Sequence, residues 1–182
     1  SAKLQSQIIV TQFAAGNIFI GKYLKTEMQV LTGHGVLGFG RSFTSRPKSL
    51  HGYIRYESGV VNKGGDKISN GEQDQGIIYI ALTSGEGESY DDGTQWSCIV
   101  RTKSQKYFDK NADNIVAYGE KIWETNTEGD GMIEFSIPLD YRKLDVLPNR
   151  IVLVAAASRF GDYFEGSSSS VMWLDDMELI YE

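Results

Sequence analysis

Hydrophobic and polar residues alternate along this chain in short runs, and Gly, Asn, Asp and Ser separate the runs. A period of two puts every second side chain on one face of a strand, whereas a surface helix repeats every three to four residues. The alternation predicts strands over residues 2–9, 17–22, 29–31, 49–56, 77–82, 97–102, 115–122, 132–138, 150–157 and 171–181. Asn70-Gly71, Asp92-Gly93 and Asp130-Gly131 mark turns, because both residue types tolerate positive φ. Strands at this spacing, with no long helical period between them, predict an antiparallel sandwich or barrel. Two polar stretches, 61–76 and 84–95, read as long loops, where sandwiches commonly carry their binding surfaces.

Composition supports the same fold. Ile outnumbers Leu, and β-branched and aromatic residues far exceed Ala, which suits a pleated, half-buried surface. The 182 residues and the absence of an inter-domain linker predict one domain over 1–182. Residues 2–6 read as a strand at once, so the domain is expected to lack an N-terminal segment. One Cys excludes an internal disulfide framework and a cysteine zinc cluster. The longest apolar run, 151–157, falls far short of the roughly 20 residues that span a bilayer. A net charge of −6 argues against nucleic acid as a partner and fits a neutral ligand better.

Few motifs carry chemistry. Gly33-His34-Gly35-Val36-Leu37-Gly38 spells GxGxxG, but no helical period follows and Pro47 would interrupt one. Without a helix N-terminus to hold pyrophosphate, the dinucleotide reading fails, and the glycines serve turns or close sheet packing. His34 and His51 have no neighbours that would mark a triad. Cys98 sits in an apparent strand and reads as a small core residue. The loop pairs Glu86/Glu88, Asp91/Asp92 and Asp162/Glu165 are the carboxylates a glycosidase would need, but no pair stands out and solvated loop charge is the preferred reading in an acidic protein.

Two features stand out. In the last strand, alternation puts Val171, Trp173, Asp175, Met177 and Leu179 on one face, so a single carboxylate interrupts an apolar row. A buried Asp175 would need a structural Ca²⁺, an Arg or several backbone amides. Aromatics also lie in polar surroundings: Tyr90 and Trp96 beside the acidic loop, and Tyr163 within Ser158-Arg159-Phe160-Gly161-Asp162-Tyr163-Phe164-Glu165-Gly166. Sugar C–H faces pack on aromatic planes while hydroxyls pair with Arg, Asp and Ser, which makes Tyr90, Trp96, Ser158, Arg159, Asp162 and Tyr163 candidate ligand contacts. Arg46, before Pro47, is a further donor, or a partner for Asp175.

Several blocks then resemble the putative carbohydrate metabolism domain family of gut Bacteroidetes-type proteins. They are Ala2-Lys3-Leu4-Gln5-Ser6, Phe13-Ala14-Ala15-Gly16-Asn17-Ile18-Phe19-Ile20-Gly21, Gly40-Arg41-Ser42-Phe43-Thr44-Ser45-Arg46-Pro47 and Leu50-His51-Gly52-Tyr53-Ile54-Arg55-Tyr56. The stretch from Asp74 to Leu82, the 158–166 segment and Leu174-Asp175-Asp176-Met177-Glu178-Leu179-Ile180-Tyr181 complete the set, in the family's order. The resemblance implies a jelly-roll β-sandwich similar to carbohydrate-binding modules, in which Asp175 matches an Asp that helps hold Ca²⁺. It also implies an extracytoplasmic, often lipoprotein, setting in glycan utilisation, although the lipid-attachment Cys is not in this chain. The leading expectation is a non-catalytic domain binding a polysaccharide or oligosaccharide. A glycoside hydrolase using two loop carboxylates comes second, and a structural or adhesion module binding protein partners third.

Overall fold

The computed structural model describes residues 1–90 and 93–181. In chain order its strands are β1 (Ala2–Gln5), β2 (Gln7–Ile9), β3 (Gln12–Ala14), β4 (Asn17–Phe19), β5 (Gly21–Gln29), β6 (Thr32–Phe39), β7 (Arg41–Ser42), β8 (Ser49–Glu57) and β9 (Gly76–Thr83). They continue as β10 (Glu88–Tyr90), β11 (Thr94–Trp96), β12 (Cys98–Arg101), β13 (Ile115–Trp123), β14 (Ile133–Pro138), β15 (Asp140–Tyr141), β16 (Arg150–Ala156) and β17 (Val171–Ile180). Single 3-10 turns at Thr102–Ser104 and Gly161–Tyr163 are the helical elements among the described residues, and none is long and apolar enough to cross a membrane.

The architecture is the expected all-β, antiparallel jelly-roll sandwich. A front sheet in the order β1-β17-β8-β14 faces a central sheet in the order β15-β13-β9-β16-β4, with β7 also paired to β16. The chain crosses from one to the other after β8, β13, β14 and β16. Between them lies the main core, in which Leu50, Ile54 and Tyr56 of β8 and Met172 and Leu174 of β17 meet Ile78, Ile80 and Leu82 of β9.

A third layer covers the other face of the central sheet. The sheet β12-β6-β5 lays Phe39 and Val100 against Ala81, Val152, Val154 and Tyr118. The chain after β12 adds Tyr107 and Phe108, and Phe108 stacks on Tyr79 at 5.0 Å. With both faces covered, β9 and β16 are apolar almost throughout, as strands buried on two sides must be. Burial drives the Tyr79 and Tyr118 hydroxyls well above the usual phenol range.

Three sequence expectations change. Residues 29–31 are not a strand of their own: Gln29 ends β5, and Val30 and Leu31 form the two-residue tip between β5 and β6 and are almost fully exposed. The glycine-rich stretch from Gly33 is strand β6 itself. Part of the expected loop 84–95 forms the hairpin β10–β11, although Asp91 and Asp92 lie outside the described residues.

The last strand also changes phase. One extra residue between Asp175 and Glu178 makes a bulge, with Asp176 at φ 45°. Met172 and Leu174 therefore point inward before the bulge, and Met177 and Leu179 after it. Trp173 and Asp175 fall on the outer face.

Candidate functional site

The 3-10 turn Gly161–Tyr163 follows β16 and lies against the third layer. Gly161 allows that seat, since a Cβ there would come within 2.2 Å of the Ala15 Cβ. Phe164 closes the turn in the left-handed region, at φ 61°, and its N–H donates to the Gly161 carbonyl. Two clefts open on either side of this residue. One, of about 660 Å³, is walled by Phe13, Phe19, Leu37, Thr102, Asp162 and Phe164. The other, of about 430 Å³, is lined by His34, Lys67, Thr102, Tyr107, Tyr163 and Phe164. Thr102 and Phe164 line both, so the clefts adjoin. Both volumes are typical of small-ligand sites.

Aromatic contacts hold the divider. His34 meets Phe164 edge-on at 5.3 Å, and Tyr107 packs on Tyr163 at 4.4 Å. The Lys67 ammonium lies 4.8 Å from the Tyr163 ring, whose outer part stays exposed. Beneath the turn, Glu165 is nearly buried, and its carboxylate accepts N–H groups from Asp66, Lys67 and Ile68 at 2.8–3.0 Å. That arrangement ties the 61–76 loop to the turn and leaves Glu165 fully occupied.

Asp162 differs from Glu165. It lines the larger cleft and makes no hydrogen bond or ion pair among the described residues. Its surroundings strip water from the carboxyl and raise its pKa above the usual carboxylate range. Its negative charge also helps raise the Tyr79, Cys98 and Tyr107 pKa values, although burial is the larger cause in each. Cys98 is pushed up to about 12 mainly by burial, which fits the inert core thiol expected from the sequence.

Of the sequence candidates, Asp162 and Tyr163 come together at this site. Arg159 sits close by, lining a small pocket with Asp162, but its guanidinium donates to Gln75 Oε1 at 2.8 Å and lies 5.1 Å from the Phe160 ring. Ser158 is buried, and its hydroxyl donates to Asp74 at 2.6 Å, so its hydroxyl serves the fold. Trp96 is likewise buried in the third layer, under the Arg41 guanidinium at 4.6 Å, and presents no free face. Tyr90 packs beside it in the β10–β11 hairpin, away from both clefts.

The buried setting expected of Asp175 is not found. Its carboxylate is half-exposed on the outer face, 3.4 Å from the Ser1 amino group, and is not sunk in an apolar row. Among the described residues no group of three or more His, Cys, Asp or Glu side chains is placed to hold a metal. Arg46 does not reach Asp175, but donates to the Lys143 and Val146 carbonyls and stacks on Tyr141.

Sequence reasoning missed His34, Thr102 and Tyr107, which come from three separate segments. Nor did it single out the serines at 167–170. Ser167 and Ser170 are fully buried and, with Ser158, donate three hydrogen bonds of 2.6–2.8 Å to Asp74 Oδ2.

The class that fold and site define is an all-β sandwich domain with a ligand-sized cleft beside its central sheet. The chain belongs to the putative carbohydrate metabolism domain family, which it matches over residues 1–180, and is thus a carbohydrate-related domain. No curated protein matches it. Among solved structures it is similar to a putative glycoside hydrolase from Bacteroides thetaiotaomicron, with 21% identity and a TM-score of 0.68. It is also similar to a putative glycoside hydrolase from Bacteroides vulgatus, with 20% identity and a TM-score of 0.65. Both alignments cover 99% of this chain, but 53% of the first structure and 72% of the second. The chain thus spans about half the length of the first.

Proposed function

We propose that the domain binds a glycan, without cleaving it, in the paired clefts around Phe164. The observation that carries this reading is the Tyr163–Tyr107 ring pair, with Tyr163 exposed, lining the cleft of about 430 Å³ next to the larger cleft that Asp162 lines. Aromatic faces take the apolar side of a sugar ring, and a carboxylate takes its polar edge. The family supports a sugar ligand, and an extracytoplasmic setting in glycan utilisation is part of the same proposal.

A hydrolase is the second reading, favoured by one feature. A carboxyl whose pKa is raised by desolvation is what a general acid requires, and Asp162 has that environment. Hydrolysis also needs a second carboxylate across the scissile bond. Asp162 is the one carboxylate among the described residues lining the larger cleft; Asp66 and Glu165 line the neighbouring cleft, and Glu165 is taken up by three amides. No particular observation supports the protein-adhesion reading over these.

The test is a calorimetric glycan screen, with reducing-end release followed in parallel. Binding without release is expected, with Tyr163→Ala weakening it by roughly tenfold, about the value of one ring contact. Turnover lost in Asp162→Asn would replace the binding reading with the hydrolase. A screen in which no glycan binds would remove both.

A further inference from the structure

Among the described residues the larger cleft is lined by one carboxyl group, Asp162, and by no cationic side chain. Each of its other polar side chains has at least one partner within the protein. Gln12 exchanges hydrogen bonds with Gly33, donating through Nε2 at 2.5 Å and accepting through Oε1 at 2.9 Å. The Tyr23 and Thr26 hydroxyls pair with each other at 2.5 Å, and the Asn17 amide donates to the Ala15 carbonyl. Thr102 Oγ1 lies 3.4 Å from His34 Nδ1. The remaining described walls are apolar side chains and glycines, with no Lys, Arg or His among them. Arg159, the cation nearest in the chain, is turned to Gln75.

Such a cleft suits a neutral sugar poorly. Hydroxyl recognition relies on many free donors and acceptors, and here the carboxylate is the open group. A desolvated carboxylate gains most from a ligand that brings both N–H donors and a positive charge. We propose that the ligand is an amino sugar with a free ammonium group, paired with the Asp162 carboxylate while its ring lies against Phe164. This inference rests on the glycan reading above and names the ligand class at the same site.

The test compares three β-1,4-linked tetramers of equal length in calorimetry: glucosamine, N-acetylglucosamine and glucose. The free amine is expected to bind at least roughly tenfold more tightly than the other two, the gain of a charge-assisted over a neutral hydrogen bond. Because the whole protein carries −6, a cationic oligomer is also attracted generally. Asp162→Asn changes that charge by one unit only, yet is expected to erase the preference. Tyr163→Ala should lower all three affinities and leave the preference intact, which also holds if Asp162→Asn folds poorly.

Equal binding of the three tetramers, or tighter binding of the neutral ones, overturns the amino-sugar inference while the glycan reading stands. A preference that survives in folded Asp162→Asn overturns it as well. Failure of every glycan in the wider screen removes both.

Discussion

Asp74 and Asp162 are both drawn into the protein, and their surroundings treat them oppositely. Asp74 is fully buried, and one oxygen alone accepts the Ser158 and Ser170 hydroxyls and the Ser167 N–H. The Ser158 hydroxyl in turn accepts from Ser6, which accepts the Gly16 N–H, so one carboxylate anchors four separate segments. Removing it strands several buried donors. Asp74→Ala is expected to destabilise by about 3 kcal/mol, lowering Tm by roughly 6–12 °C in a thermal melt.

Asp162 has no such donors, so its folded pKa lies above its unfolded value. The groups facing it are Tyr79 from β9, Cys98 from β12, Tyr107 and the engaged Arg159. The sign follows from linkage. Below the unfolded pKa the carboxyl is protonated in both states and costs nothing; as pH rises through the folded pKa, ionisation penalises the native state. Asp162→Asn should therefore raise Tm at pH 7, by about 2–4 °C for each kcal/mol relieved, with the gain over wild type vanishing in acid. A residue that costs stability and stays unpaired is the pattern of a site kept for binding.

At the scale of elements, β6 and β17 show why a pattern can be read correctly and still mislead. The β6 glycines were read as a failed nucleotide motif serving turns or close packing, and the structure makes it packing. A Cβ on Gly38 would lie 2.3 Å from the Trp96 ring, whereas one on Gly35 would meet nothing closer than 3.6 Å. Gly38→Ala should therefore cost about 1–3 kcal/mol and shift tryptophan emission, while Gly35→Ala in the cleft wall leaves both unchanged. Equal effects of the two would contradict this packing. In β17 the alternation itself was legible. The bulge at Asp176 was not, because Asp tolerates a left-handed φ but a single Asp inside an alternating strand does not mark one. One inserted residue reverses which face is buried, and it moved Asp175 from an expected core position to the surface.

For the whole molecule, alternation and turn dipeptides were enough to give most long strands and the antiparallel sandwich, since a period of two is a local property of the chain. The continuous apolar runs in β9 and β16 also recorded that both their faces are covered. What covers them was not legible. The third layer pairs β5 and β6 with β12, elements some sixty residues apart, through contacts that no local pattern encodes. The site was half legible for the same reason. Asp162 and Tyr163 belong to one short segment whose chemistry reads from its composition, and the sequence singled them out. Trp96 and Ser158 have equally suggestive chemistry, but packing buried one under Arg41 and tied the other to Asp74. By itself the sequence determined most of the long strands and the kinds of side chain offered near the turn, because these depend on neighbours along the chain. Only the tertiary structure decided which of those side chains face a cleft and which carboxylate is left unpaired, because burial and hydrogen bonding depend on neighbours in space.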